Sequence, residues 1–88
     1  MKIRDGFILR TIADTHIVVP VAERVIEFKG MITLNEVSVG IWNFLQIDRS
    51  YDDVLEYMLS IYKIDRDTAT NDLNELLDQM ESGGVFEK

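Results

Sequence analysis

The stretch Gly30-Met31-Ile32-Thr33-Leu34-Asn35-Glu36-Val37-Ser38-Val39-Gly40-Ile41-Trp42-Asn43-Phe44-Leu45 changes its periodicity midway, and that change decides the fold. Ile32 and Leu34 alternate with Met31 and Thr33, the two-residue repeat of a half-buried strand. Asn35 follows where a helix N-cap belongs, its side chain placed to accept from the first unpaired backbone N–H groups. Glu36 falls in the first turn, where a negative charge suits the helix dipole. Val37, Ile41, Phe44 and Leu45 then recur at i, i+4, i+7 and i+8, one apolar stripe that Trp42 widens. Gly40 interrupts this helix at a cost of about 1 kcal/mol relative to Ala, which points to a close approach of another element or to a slight bend.

Toward the N-terminus the pattern is that of strands. Residues 7–13 place Phe7, Leu9 and Thr11 on one face and Ile8, Arg10 and Ile12 on the other. Asp14-Thr15 reads as a two-residue turn, and residues 16–20 as the returning strand of a hairpin. Pro20 cannot donate to a ladder, so it ends that strand or lies at an edge. After a polar turn at Ala22-Glu23-Arg24, residues 25–28 read as a third strand, with Ile26 and Phe28 on one face and Val25 and Glu27 on the other. Lys29-Gly30 bends the chain before Ile32 and Leu34 lead into the first helix.

Toward the C-terminus the helical period persists. Gln46 to Arg49 is a short connection, and Ser50-Tyr51-Asp52-Asp53 opens a second helix with a capping box that has Asp in place of Glu. Val54, Leu55, Met58, Leu59 and Tyr62 form its stripe. Ile64 packs inward before a cap at Asp65, and Ala69, Leu73, Leu76, Leu77 and Met80 form the stripe of the longest helix. Gly83-Gly84 ends it, and Val85-Phe86 returns to the core. Three strands followed by three closely spaced helices make an α+β domain spanning residues 1–88. A three-stranded N-terminal antiparallel sheet with these helices suggests a winged helix-turn-helix variant.

Composition narrows the function. With 88 residues the chain is near the lower end of what buries an independent core. No apolar run approaches the roughly 18 residues that a membrane span needs. Arg4, Asp5 and Arg10 break what could have been a signal peptide, so the expectation is a cytoplasmic protein without membrane association. There is no cysteine and one histidine, His16, read as a surface residue at a strand end. No second His and no Cys complete a metal site or a nucleophile–base pair, so neither a metal nor a cofactor is expected. The glycines form no phosphate-cradling loop, and the dense carboxylates of the third helix fall mostly opposite its Leu73/Leu77 stripe, as a solvated face. No catalytic constellation is present, and the chain reads as a non-enzyme.

Charge bears on nucleic acid. Residues 1–35 hold five Lys/Arg against four Asp/Glu, whereas residues 36–88 hold four against twelve. From 65 to 82, where a recognition helix would lie, one Arg faces six Asp/Glu. Every phosphate that this helix approached would repel it, so a DNA-binding regulator is disfavoured. What remains is an interaction module. The strand edge formed by Val25, Ile26, Glu27, Phe28 and Lys29 could accept an extended peptide main chain to main chain. A covering loop or a second subunit fits such an edge equally well.

The run from Thr33 to Leu45 resembles the signature of the PqqD-like family, named after pyrroloquinoline quinone biosynthesis protein D. Leu34-Asn35, the small Ser38 and Ile41-Trp42 carry the resemblance, and length and element order agree with it. The resemblance implies a recognition element for a ribosomally made, post-translationally modified peptide (RiPP), in the same fold. Such a domain binds the leader segment of the precursor as an added strand and acts as a peptide chaperone. It presents the leader to a modifying enzyme, commonly a radical SAM protein as in PQQ biosynthesis, or to a leader peptidase, and does no chemistry itself. Carried over, the groove lies between residues 25–29 and one flank of the third helix. Either Ile26 and Phe28 or Val25 and Glu27 face it, depending on register. The flanks of the helical stripe are Asp72 and Gln79 on one side and Thr70 and Asn74 on the other, with Leu73 and Leu76 as a possible floor. A scaffold module of the same fold, joining two proteins without a precursor peptide, is the alternative.

Overall fold

The computed structural model describes residues 1–21 and 32–87. Strand β1 (Phe7–Ile12) and strand β2 (Thr15–Pro20) form an antiparallel hairpin, and strand β3 (Ile32–Leu34) pairs antiparallel with β2, giving the order β1-β2-β3. Helices α1 (Glu36–Phe44), α2 (Tyr51–Ile61) and α3 (Arg66–Gly83) follow. This is the expected α+β arrangement of a three-stranded antiparallel sheet followed by three helices. The strand read at residues 25–28 and the bend at Lys29-Gly30 lie outside the described residues.

The sheet alternates as its sequence requires. Phe7, Val18, Ile32 and Leu34 are buried, and Leu9 packs against them on the same face, while Ile8, Arg10, Ile12 and Thr33 are exposed on the other. The hairpin turn is one residue earlier than expected: Ala13 and Asp14, not Asp14 and Thr15, have positive φ, at 51° and 65°. Two consecutive left-handed residues are what a two-residue turn matched to the strand twist demands. Asp tolerates that conformation, and Ala adopts it here at some strain because the register Ile12↔Thr15 leaves it no alternative.

Each helix begins at its expected cap. Asn35 Oδ1 accepts from Ser38 N at 2.9 Å, and Asp65 Oδ1 accepts from Thr68 N at 2.6 Å. Ser50 and Asp53 form a reciprocal capping box: Asp53 N donates to Ser50 Oγ at 3.0 Å, and Ser50 N donates to Asp53 Oδ2 at 3.0 Å. At the far end of α3, Gly84 takes φ 73° and closes the helix, its N–H donating to Glu81 O at 3.1 Å. Hydrogen bonds within the caps, backbone first from Ser50 to Asp53 and side chain first from Thr68 to Asp65, hold the Asp53 and Asp65 carboxyls below their ordinary 3.8. A depressed folded-state value contributes stability above the unfolded value and loses it as pH falls through the folded one. The urea midpoint of the domain is therefore expected to drop on acidification below about pH 4. Replacing both with Asn, which can still cap, makes that drop shallower; an unchanged acid limb would contradict the cap assignment.

The core lies between the inner sheet face and the three helices, with Ile41, Leu45, Val54, Met58, Leu73 and Met80 essentially inaccessible. The two chain ends close one side. Ile3 N donates to Leu45 O at 3.0 Å, Arg4 N to Val85 O at 2.8 Å, and Ile3 bridges Phe86, so the Val85-Phe86 tail does return to the core.

Gly40 has a cause in this packing. A Cβ there would stand 2.7 Å from Tyr62 Oη and 2.8 Å from Tyr57 Oη. Tyr57 is pinned in turn by stacking on Phe44, with centroids 4.4 Å apart, and the Arg49 guanidinium lies over Phe44. Burial first, and then the Tyr62 phenol, push the Tyr57 phenol above its ordinary 10.0. Gly40→Ala gains about 1 kcal/mol of helix propensity but forces the stacked Tyr57 ring and the Tyr62 hydroxyl to move, at about 1–3 kcal/mol. The net expectation is destabilisation in the natural chain and stabilisation by about 1 kcal/mol when Tyr57 and Tyr62 are both Phe. Urea unfolding of the four chains reads this sign reversal directly.

Candidate functional site

Strand β3 is only three residues long, but it touches both α1 and α3. One of its edges pairs with β2 through His16↔Leu34, Ile17↔Thr33 and Val18↔Ile32. No strand among the described residues pairs with the other edge. Beside β3 and α3 runs a groove of about 390 Å³. Its floor is apolar, from Leu34, Val37, Ile41, Met58 and Leu76; Thr33, Asn35 and Ser38 border it on the strand and α1 side, and Asp72, Glu75 and Gln79 on the α3 side.

The groove exists because α3 has two different flanks. Ala69, Leu73, Leu76 and Met80 point into the core. On one flank, Asp72, Glu75 and Gln79 recur at i, i+3 and i+7 along the groove. On the other, Asn74 accepts from Tyr51 Oη at 2.8 Å, which ties α3 to the start of α2. The small Ser38 keeps the α1 side open, its backbone N–H already occupied by the Asn35 cap.

Of the residues singled out in the sequence, Asp72, Leu76 and Gln79 come together here. Leu73 has no exposed surface and lies in the core, and half-buried Thr70 is not among the residues lining the groove. Val25, Ile26, Glu27, Phe28 and Lys29 lie outside the described residues. Thr33, Leu34, Val37, Ser38 and Glu75 were not singled out as site residues, although the Leu34-Asn35 pair and Ser38 already stood in the signature.

His16 is not the surface residue its sequence position suggested. It is half-buried; Nδ1 lies 2.7 Å from Thr11 Oγ1 and Nε2 lies 2.8 Å from Glu36 Oε1. It thus joins the end of the hairpin to the first turn of α1 and steadies the strand-to-helix junction at one end of the groove. Among the described residues no group of three or more His, Asp or Glu is placed to hold a metal ion, and no helix is long and apolar enough to cross a membrane.

The arrangement is suited to an extended chain. A strand edge offers main-chain groups, an apolar floor takes alternate side chains, and a polar helix wall can discriminate between them. Comparison with known proteins bears on this geometry. The family model for coenzyme PQQ synthesis protein D (PqqD) matches residues 15–85. The solved structure of TbiB1 in complex with the TbiA(β) leader peptide has a similar fold, with a TM-score of 0.72 at 22% sequence identity, covering 99% of this chain and 95% of that one. No curated protein is similar enough to count as a match.

Proposed function

The chain belongs to the family of coenzyme PQQ synthesis protein D, and on that premise we propose that it binds the leader segment of a ribosomally made precursor peptide by strand addition to β3. The observation that carries this reading is the edge of Ile32–Leu34 that no described strand pairs, set beside a groove whose far wall is α3. The peptide continues the sheet as its next strand, and alternate side chains enter the groove over Leu34, Val37 and Leu76. That TbiB1, of similar fold, was solved with a leader peptide bound supports a leader peptide as the ligand here. Thr33, Asp72, Leu76 and Gln79 are the binding residues in this reading, with residues 25–29 adjoining in sequence. The domain performs no chemistry; it holds the precursor for a modifying enzyme, of the radical SAM type or a leader peptidase, in the cytoplasm.

Strand addition depends on the main chain of the ligand, and this makes it testable. A synthetic peptide comprising the N-terminal part of a precursor encoded beside this chain's gene is expected to bind saturably in calorimetry. N-methylation of the alternate amides that point toward β3 removes donors and abolishes binding, while methylation of the intervening amides is tolerated. Binding indifferent to methylation at every position would refute the strand-addition mode.

A further inference from the structure

The α3 wall is charged in a way that strand addition does not require. Asp72 and Glu75 both line the groove and both are exposed. They stand three positions apart, within one helical turn, a spacing at which like charges repel. Among the described residues neither takes part in an ion pair, and no basic side chain lines the groove. Six other carboxylates of the helical half are engaged: Glu36 with His16, Asp48 with the Met1 ammonium, Glu56 with Arg66, Glu87 with Lys2, and Asp53 and Asp65 in helix caps. Asp52, Asp67, Asp78 and Glu81 take part in no ion pair among the described residues, but they do not line the groove. The floor beneath Asp72 and Glu75 is apolar, and residues 36–88 hold twelve Asp/Glu against four Lys/Arg.

We infer that the groove selects an extended peptide with a lysine or arginine on its groove-facing side, held between Asp72 and Glu75, and an apolar residue two positions away on the floor toward Leu76 and Gln79. The inference rests on the strand-addition reading above and gives it a sequence preference. Side chains on one face of a strand recur about every 6.6–6.8 Å. The helix rises about 6 Å from Glu75 to Gln79, so two successive groove-facing residues match two levels of the wall. The aliphatic stem of a Lys or Arg can lie over Leu76 while its head reaches both carboxylates, which relieves their repulsion. The net negative charge of the helical half draws such peptides in and disfavours acidic ones.

The test is selection from a random dodecapeptide library displayed on phage, with the full chain as bait. Four baits are compared: the natural chain, the Asp72→Asn/Glu75→Gln variant, the Asp78→Asn/Glu81→Gln variant and an irrelevant domain. Asp78 and Glu81 are exposed on the same helix but do not line the groove, so they control for net charge. The expected result is enrichment of Lys or Arg at one position with an apolar residue two away. The Asp72→Asn/Glu75→Gln bait loses the cationic preference and the Asp78→Asn/Glu81→Gln bait keeps it. For a selected peptide, changing its Lys to Gln weakens binding to the natural chain about tenfold at low salt, less at high salt, and under about twofold in the Asp72→Asn/Glu75→Gln variant. Enrichment of apolar positions without a cationic one overturns the inference and leaves strand addition standing. Equal loss of preference in both charge variants also overturns it, since net charge would then suffice. If no peptide is enriched over the irrelevant domain, strand addition and the inference fall together.

Discussion

Trp42→Ala is expected to lower the unfolding free energy by about 3–5 kcal/mol, the largest loss of stability that a single truncation in this chain should give. Trp42 is 3% exposed, next in sequence to the buried Ile41 and close to the buried C-cap Leu45, on a helix that packs against β3 and α2. Removing the indole loses its transfer free energy and leaves a cavity too large for such a small core to close. Domains hold about 0.05–0.15 kcal/mol per residue, so a chain of this length has only about 4–13 kcal/mol to lose. At the low end of that range the variant is partly unfolded at room temperature, and at the high end the loss reads as a lower urea midpoint. Because Trp42 is the only tryptophan, urea unfolding has to be followed by far-UV circular dichroism rather than fluorescence. A loss below about 1 kcal/mol would mean that α1 is not the element around which the core is built.

Ser38→Phe is expected to weaken binding of a leader peptide at least tenfold, about 1.4 kcal/mol or more, while leaving the fold in place. Ser38 is half-buried, lines the groove and contributes only its backbone N–H to the Asn35 cap. A phenyl ring there has one place to go, the space of about 390 Å³ that a ligand side chain would enter. It covers apolar floor as it does so, and the urea midpoint should therefore stay level or rise. Calorimetry and urea unfolding on the same preparation separate a blocked groove from a damaged fold. Full affinity in a folded Ser38→Phe chain would place the ligand elsewhere.

Local chemistry was legible in the sequence and spatial order was not. Asn35, Ser50 with Asp53, Asp65 and Gly84 announce helix boundaries through bonds reaching three or four residues, so each could be read from its own neighbourhood. The apolar stripes were legible for the same reason. The hairpin turn slipped by one residue because Asp14 fits either register, and only the pairing Ile12↔Thr15 forces Ala13 into a left-handed conformation. His16 looked like a surface residue because its partner Glu36 is twenty positions away. Gly40 looked like a weakness because the tyrosine hydroxyls that require it belong to Tyr57 in α2 and to Tyr62 at the end of that helix.

The groove shows the same limit more sharply. Asp72, Leu76 and Gln79 could be named because the family resemblance implied a groove along the third helix, and helical spacing then fixed which residues belong to its stripe and which flank it. Which flank meets the sheet depends on how α3 packs against α2 and β3, a tertiary fact carried by contacts such as Tyr51 with Asn74. The strand beside the groove is Ile32–Leu34, legible as a strand from its alternation, but nothing within its three residues marks it as the edge that lies beside α3. Glu75 was counted with the solvated acidic face because nothing local distinguishes a carboxylate over open water from one at the rim of a groove.

The measurement that tests the account most directly is intermolecular NMR on the isotope-labelled domain with the unlabelled N-terminal part of the precursor encoded beside its gene. The account predicts saturable amide shifts at Ile32, Thr33 and Leu34 and along the Asp72–Gln79 flank of α3. It also predicts cross-strand contacts between backbone protons of β3 and of the peptide. Shifts confined to the β1 edge or to the outer sheet face around Ile8 and Ile12, without backbone contacts to β3, would contradict it.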